Sequence, residues 1–415
     1  MIMNKYITIV LSYIWLAVSA PAMTLHVDTV FVSDESGSDT LVTESKPSWE
    51  QRMQQRLEAM THENLFETTQ LGMMVWDLTA DSCLFRYHEK QRMRPASTQK
   101  CVTAVSALDL LGGDYELTTT LYYTGEINDS LQLLNGDLYC KGGMDPLFGQ
   151  KDLSAFVDAV KRLGVTTISG DIYADVCFKD TLHWGEGWCW DDDNPSLVPL
   201  LVDGKNRFRE LLHTRLREAG ISLRTVGGTP DKNRQELCVR KHTLVDVLVP
   251  MMKRSDNLYA ESIFYQIAHS QGGKNASAKA ARNYIYQLMT NAGIDSTPVR
   301  VADGSGLSLY NYITPQVETL LLRYAWKNQR IYEHLLPALP VAGVDGTLAN
   351  RMKGTPAAGN VKAKTGTVTG VSALAGYCTA RNGHLLCFSI MNQGVPTAKV
   401  GRDFQDRVCA VLCGQ

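Results

Sequence analysis

Two strand-like runs near the start of this chain and three near its end constrain the fold more than anything between them. Met73 to Leu78 and Cys83 to Tyr87 are apolar, rich in β-formers and separated by a turn at Thr79 to Ser82. Val361 to Thr367 reads as a further strand. Val371 to Thr379 and His384 to Met391 read as a hairpin about Arg381-Asn382-Gly383, where Asn-Gly favours a tight turn. A helix is expected from Trp49 to about Thr69, with Met53, Leu57, Met60 and Leu65 near helical spacing and Gly72 ending it. A last helix carries Phe404, Val408 and Val411. Together these predict one five-stranded antiparallel sheet covered by the first and last helices. The middle of the chain must leave that sheet and return to it.

The middle has two characters. Residues 116 to 206 are strand- and turn-rich, as in Leu117 to Tyr123, Leu131 to Cys140 and Ile168 to Ala174, with one helix from Leu153 to Leu163. Residues 207 to 295 read as mainly helical. The expected division is a catalytic domain of residues 49–115 and 207–415 with an inserted β-rich domain at 116–206. The fold class is α+β.

Residues 1–22 read as a secretory signal. Lys5 gives a positive start, Ile7 to Val18 is largely apolar, and Ala20-Pro21-Ala22 offers a cleavage site. That apolar run is short for a membrane span, and no later stretch is long and apolar enough to form one. Residues 23–48 read as a flexible polar leader. The mature chain is therefore expected to be soluble and outside the cytoplasm, periplasmic or in the cell envelope. The 10 Cys are scattered and form no small disulfide framework. Cys101, Cys378 and Cys387 read as buried free thiols.

Three short motifs carry the chemistry: Ser97-Thr98-Gln99-Lys100, Ser255-Asp256-Asn257 and Lys364-Thr365-Gly366. About one S-x-x-K is expected by chance in such a chain, yet Ser97 alone has Lys three positions on. The other two motifs each occur once. Ser97 is expected at the start of an apolar helix (Val102, Val105, Leu108, Leu111) closed by Gly112-Gly113, with Lys100 one turn on along the same face.

Other chemistries find no support. A net charge of -2 supplies no field for nucleic acid. The 9 His form no H-E-x-x-H, no Cys/His set has zinc spacing, and no phosphate-binding glycine loop is present. Asp191-Asp192-Asp193 reads as a solvated turn. Neither a metal nor a cofactor is called for.

S-x-x-K, S-D-N and K-T-G in this order are the signature of penicillin-binding proteins and class A β-lactamases. Further stretches narrow the match: Pro95-Ala96-Ser97-Thr98, Gly142-Gly143-Met144-Asp145-Pro146, Gly187-Trp188-Cys189-Trp190-Asp191-Asp192, Ala260-Glu261, Asp303-Gly304-Ser305-Gly306-Leu307-Ser308 and Gly346-Thr347-Leu348. From about residue 50 to 413 the chain resembles the class C low-molecular-mass penicillin-binding proteins. These are D-alanyl-D-alanine carboxypeptidases, often also endopeptidases on peptidoglycan cross-links. Ser255 follows Ser97 by 158 positions (255 − 97), which leaves room for an inserted region that class A β-lactamases lack. The chain departs from the family twice. It runs from Asp203-Gly204-Lys205-Asn206 straight into the helix near Phe208, where the family usually carries another β-rich domain. It also has Leu309 where the family commonly has an Arg thought to hold the substrate's peptide side chain.

The resemblance implies a penicillin-binding-protein/β-lactamase-like transpeptidase fold. It also implies a Ser97 acyl-enzyme, peptidoglycan peptides ending in D-Ala-D-Ala as substrate, and β-lactams as covalent inhibitors. The chemistry of the residues agrees. Ser97 needs a base, and Lys100 can serve once uncharged, its pKa lowered by burial and by a second cation such as Lys364. Ser255 is placed to relay a proton to the leaving amine, and the Asn257 amide suits a substrate backbone amide. Asp256 reads as structural. Lys364, Thr365 and Thr367 suit a substrate carboxylate, and Gly366 leaves room for substrate along the strand. The Ser97 and Thr367 N–H groups suit an oxyanion hole, where each donor is worth roughly 3–4 kcal/mol. Two alternatives remain: a β-lactamase or esterase of the same fold, and an inactive peptidoglycan-binding scaffold. No E-x-x-x-N stretch between Ser255 and Lys364 positions a deacylating water, which counts against rapid lactam turnover.

Overall fold

The computed structural model describes residues 30–32, 40–42, 46–224 and 233–414. The chain divides into two compact units, Met1–Gln51 and Arg52–Gln415. The signal expected at 1–22 lies outside the described residues, as does most of the expected leader. Within that leader, β1 (Val30–Val32) pairs antiparallel with β2 (Thr40–Val42). Each is a short β-branched and apolar run, a local signal that the polar composition around it hides.

The first helix, α1 (Trp49–Thr61), is shorter than expected and is followed by a 3₁₀ turn at Asn64–Glu67. Gly72 does not end it. Gly72 lies inside β3 (Gln70–Asp77), where a Cβ would stand 2.7 Å from Met93 Sδ and 2.9 Å from Pro315 Cγ. A close packing contact, rather than a helix stop, explains this glycine. β4 (Ser82–Tyr87) completes the first hairpin, and α2 (Gln99–Leu111) follows, closed by Gly112 at φ +78°.

The inserted stretch builds two small sheets. Its elements are β5 (Glu116–Thr124), β6 (Glu126–Asn128), β7 (Leu133–Asn135), β8 (Leu138–Lys141), α3 (Gln150–Lys161), β9 (Thr167–Ile168) and β10 (Ile172–Asp175). The expected strand Leu131 to Cys140 is cut at Gly136, which packs so tightly on the Thr124 carbonyl that only glycine fits. Residues 207–295 are mainly helical as expected, but they also hold a long strand that the sequence did not announce. After α4 (Phe208–Glu218) and β11 (Ser222–Leu223) comes the ten-residue strand β12 (Arg234–Thr243), antiparallel to β5 along its whole length. The two sheets run β10-β8-β5-β12 and β11-β9-β7-β6. Phe208 shares one apolar core with Phe148 and Phe156, so α4 belongs to this lobe. Polar and charged residues on both sides of Leu237-Cys238-Val239 hide the strand, because its packing comes from distant β5.

A helical lobe follows: α5 (Leu244–Arg254), α6 (Asn257–Ser270), α7 (Ala278–Asn291), α8 (Pro315–Lys327) and α9 (Gln329–Ala338). Buried side chains of α2 and α5 to α9 form its core. The chain then returns as β13 (Lys362–Val368), β14 (Val371–Thr379), β15 (Leu385–Gln393) and α10 (Ala398–Gly414). The principal sheet has the order β13-β14-β15-β3-β4 and every pairing in it is antiparallel, the predicted five strands. One face meets α10, where Gln405 Nε2 donates to Ser372 Oγ and Asn392 Oδ1, both at 3.1 Å. The other meets α8, where Tyr377 donates to the Leu322 carbonyl. Gln54 of α1 donates to the Leu84 carbonyl of β4. All ten cysteines are free thiols, and Cys101, Cys378 and Cys387 are buried as expected.

Candidate active site

Ser97 lies in a 3₁₀ turn, Ala96–Thr98, immediately ahead of α2. Ala96 is held at φ +47°, a strained conformation for a residue with a Cβ. Close packing fixes the turn. Gly306, at φ +81°, presents its bare Cα to the Ala96 carbonyl, and Gly366 does the same to the Pro95 carbonyl. A Cβ on Gly366 would stand 2.5 Å from that oxygen. The expected role of Gly366, room for substrate, is therefore corrected: its missing side chain lets β13 lie against the Ser97 turn.

Lys100 is fully buried on the first turn of α2. Its Nζ lies 3.0 Å from Ser97 Oγ and donates to Asn257 Oδ1 (2.8 Å) and to the Ser305 carbonyl (2.7 Å). Burial lowers its pKa to about 8, and the charges of Asp303, Glu261 and Asp256 oppose that shift. The expected repulsion between the two lysines acts on Lys364. This side chain is also fully buried, and burial first, then Lys100, pushes it well below the usual lysine range.

Ser255 joins α5 to α6 in the left-handed region, φ 62° and ψ 34°. Its hydroxyl accepts from Lys364 Nζ at 2.8 Å. Asp256 caps α6 by accepting from Tyr259 N, the structural part expected of it. Asn257 commits Oδ1 to Lys100, which leaves its Nδ2 donors for a ligand. Ser97, Ser255, Thr365 and Thr367 line one cleft of about 520 Å³, and each of the two lysines is hydrogen-bonded to one of its two serines. β13 is the edge strand of the sheet, and at its start the outer side is taken by the 340–341 segment, with Ala363 N donating to the Pro340 carbonyl at 2.9 Å.

Sequence reasoning assigned no role to several residues that hold this arrangement. Glu261 stands one turn beyond Asn257 on α6. It is buried and accepts from Gly304 N (3.1 Å) and Ser305 N (2.8 Å), fixing the carbonyl that receives Lys100. Burial, then Asp303, raises its pKa to about 8. Asp303 accepts from Gly306 N, Ser308 N, Asn311 Nδ2 and Trp188 Nε1. Thr347 accepts from Thr365 Oγ1 at 2.8 Å, and Arg351 and Arg402 border the cleft. Ala260-Glu261, Asp303-Gly304-Ser305 and Gly346-Thr347 lay inside motifs already noticed. Nothing in the string said which of their atoms would face Lys100 or Thr365. Among the described residues no group of three or more His, Cys, Asp or Glu could hold a metal ion.

Comparison with known proteins places the whole chain. The model of the D-Ala-D-Ala carboxypeptidase 3 (S13) family matches residues 53–199 and 197–413. The D-alanyl-D-alanine carboxypeptidase DacB of Haemophilus influenzae is 26% identical over 422 residues, covering 81% of this chain and 88% of the relative. The D-alanyl-D-alanine carboxypeptidase of an Actinomadura species is 27% identical over 441 residues, covering 82% and 81%. The crystal structure of penicillin binding protein 4 from Haemophilus influenzae superposes with a TM-score of 0.76 at 24% identity, covering 86% of this chain and 97% of the other, and so shares the fold. The chain belongs to the D-Ala-D-Ala carboxypeptidase 3 (S13) family of peptidases, the class C low-molecular-mass penicillin-binding proteins.

Proposed function

We propose that this chain is a serine-type D-Ala-D-Ala carboxypeptidase that trims peptidoglycan stem peptides through an acyl-enzyme on Ser97. The observation that carries this reading is the 3.0 Å contact between Ser97 Oγ and a buried Lys100 whose pKa falls to about 8. Uncharged Lys100 takes the Ser97 proton, and Oγ attacks the carbonyl of the penultimate D-Ala. The N–H groups of Ser97 and Thr367 hold the oxyanion. The C–N bond breaks, and the proton that Lys100 took passes by way of Ser255, paired with Lys364, to the leaving amine. Water then hydrolyses the ester: its oxygen bonds to the acyl carbon, the bond to Oγ breaks, and one of its protons goes to Ser97 Oγ. Asn257 binds the substrate backbone, and the hydroxyls of Thr365 and Thr367 bind at the leaving-group end.

The same reading makes β-lactams covalent inhibitors and places the mature enzyme in the cell envelope after loss of residues 1–22. Among the described residues no helix is long and apolar enough to cross a membrane. The pairing of β12 with β5 favours an inserted lobe of residues 116–243 rather than 116–206, within a catalytic domain of 49–115 and 244–415. The test is labelling with a fluorescent penicillin, together with mass spectrometry of muropeptides. Labelling and release of D-Ala are expected from the wild type and not from Ser97→Ala. Labelling that persists in Ser97→Ala refutes the reading. The same muropeptide digest shows whether cross-links are cut as well.

A further inference from the structure

The cleft carries positive charge and no acid in its lining. Besides Ser97 and Ser255, its lining consists of Thr347, Asn350, Arg351, Thr365, Thr367 and Arg402. The β13 lysine is a poor counter-charge for a substrate here. Lys364 is fully buried, spends hydrogen bonds on Ser255 Oγ and the Thr365 carbonyl, and is held toward its neutral form. Arg351 is already neutralised, since its Nε and Nη2 donate to Asp406 Oδ1 at 2.9 and 2.6 Å.

Arg402 differs from both. Its side chain is exposed, and it makes no ion pair among the described residues. Its backbone is fixed. Gly401 lets α10 approach β14 so closely that a Cβ there would stand 2.6 Å from Ser372 Cβ, and Arg351 Nη2 donates to the Arg402 carbonyl at 3.2 Å. A guanidinium stays charged at any working pH and offers a carboxylate two parallel donors. In the lining of the same cleft the Thr365 and Thr347 hydroxyls are linked at 2.8 Å, and Thr347 sits on a loop anchored by the Lys253–Asp345 ion pair (2.6 Å).

We propose that Arg402, with the Thr347–Thr365 hydroxyl pair, holds the free α-carboxylate next to the scissile amide and selects substrates whose departing amine bears it. This rests on the Ser97 acyl-transfer reading. Arg402 is then a specificity-determining residue, supplied by the C-terminal helix and outside the three motifs.

The test compares an N-acylated peptide ending in D-Ala-D-Ala with its C-terminal amide, using the full chain and the variants Arg402→Leu and Arg402→Lys. One charge-assisted contact predicts that the wild type favours the acid over the amide by about ten- to a hundred-fold in kcat/KM, mostly through KM. That ratio should collapse toward one in Arg402→Leu and return in part in Arg402→Lys. A Leu variant that keeps the wild-type ratio overturns the assignment, as does one that slows both peptides equally. A wild type that releases D-Ala from neither peptide removes the acyl-transfer reading and this proposal together, whereas an unaltered ratio removes this proposal alone.

Discussion

Two regions of this molecule differ in what they bury. The inserted lobe has an apolar core of Leu, Val, Ile and Phe around Phe148, Phe156 and Phe208. Beneath the cleft, by contrast, the catalytic domain buries Lys100, Lys364, Glu261, Asp303 and Glu318, each 0–1% exposed. Burying a charge is costly unless it is paired or neutralised, and this domain uses both remedies. Lys100 and Lys364 move toward their neutral forms, Glu261 and Glu318 toward protonated acids, and Asp303 is saturated with donors. Proton affinities displaced in this way are characteristic of functional sites.

Substitution can break or sharpen this contrast. The largest effect belongs to Ser97→Ala, which should lower D-Ala release by about 10⁴-fold or more, measured as kcat/KM, with thermal unfolding little changed. Phe156→Ala removes a ring 5.3 Å from Phe148 in the inserted core. It should cost about 3–5 kcal/mol in urea unfolding, while the folded fraction still takes up penicillin at the wild-type rate. A loss of acylation in the folded fraction would show that the two lobes are not independent.

Glu318 comes next. Burial lifts its acid to about 7 from an ordinary value of 4.5, and Oε2 accepts from Ser389 Oγ. Between those two pH values the folded state holds a proton that the unfolded chain has lost, so the native state becomes less stable as pH rises from about 4.5 to about 7. Glu318→Gln cannot titrate. Its stability relative to the wild type should therefore grow over that interval, by on the order of 3 kcal/mol at most, read from unfolding at pH 5 and pH 7.5. An equal difference at both pH values would count against a protonated Glu318.

Lys100 gives the pH signature of the chemistry. With a pKa of about 8, its uncharged fraction grows with pH. The second-order rate of penicillin acylation should rise about tenfold per pH unit below pH 8 and level off above it. A flat profile from pH 6 to 9 would exclude Lys100 as the base. The smallest effect is expected at the exposed Arg207–Glu210 pair of the inserted lobe. Glu210→Ala should change neither the melting temperature nor the rate measurably.

Much of this was legible in the string because it is local. Strands β3, β4, β13, β14 and β15 are runs of β-forming residues bounded by turn residues, a short-range signal, and S-x-x-K on one helical turn places its two side chains on the same face. β12 was not legible, since a strand with charged residues at both ends is held by β5 from more than a hundred positions away. Nor was the reason for Gly366. A glycine in a strand announces close approach without saying to what, and here it is the Pro95 carbonyl rather than a ligand.

The sequence by itself determined the kind of chemistry: a serine, its lysine and a K-T-G strand in an order that few folds can use. Only the tertiary structure decided the electrostatics. Burial depth, the Glu261 brace and the freedom of Arg402 depend on segments far apart in the chain. A charge's proton affinity is set by the dielectric and partners around it, which no short window of sequence contains.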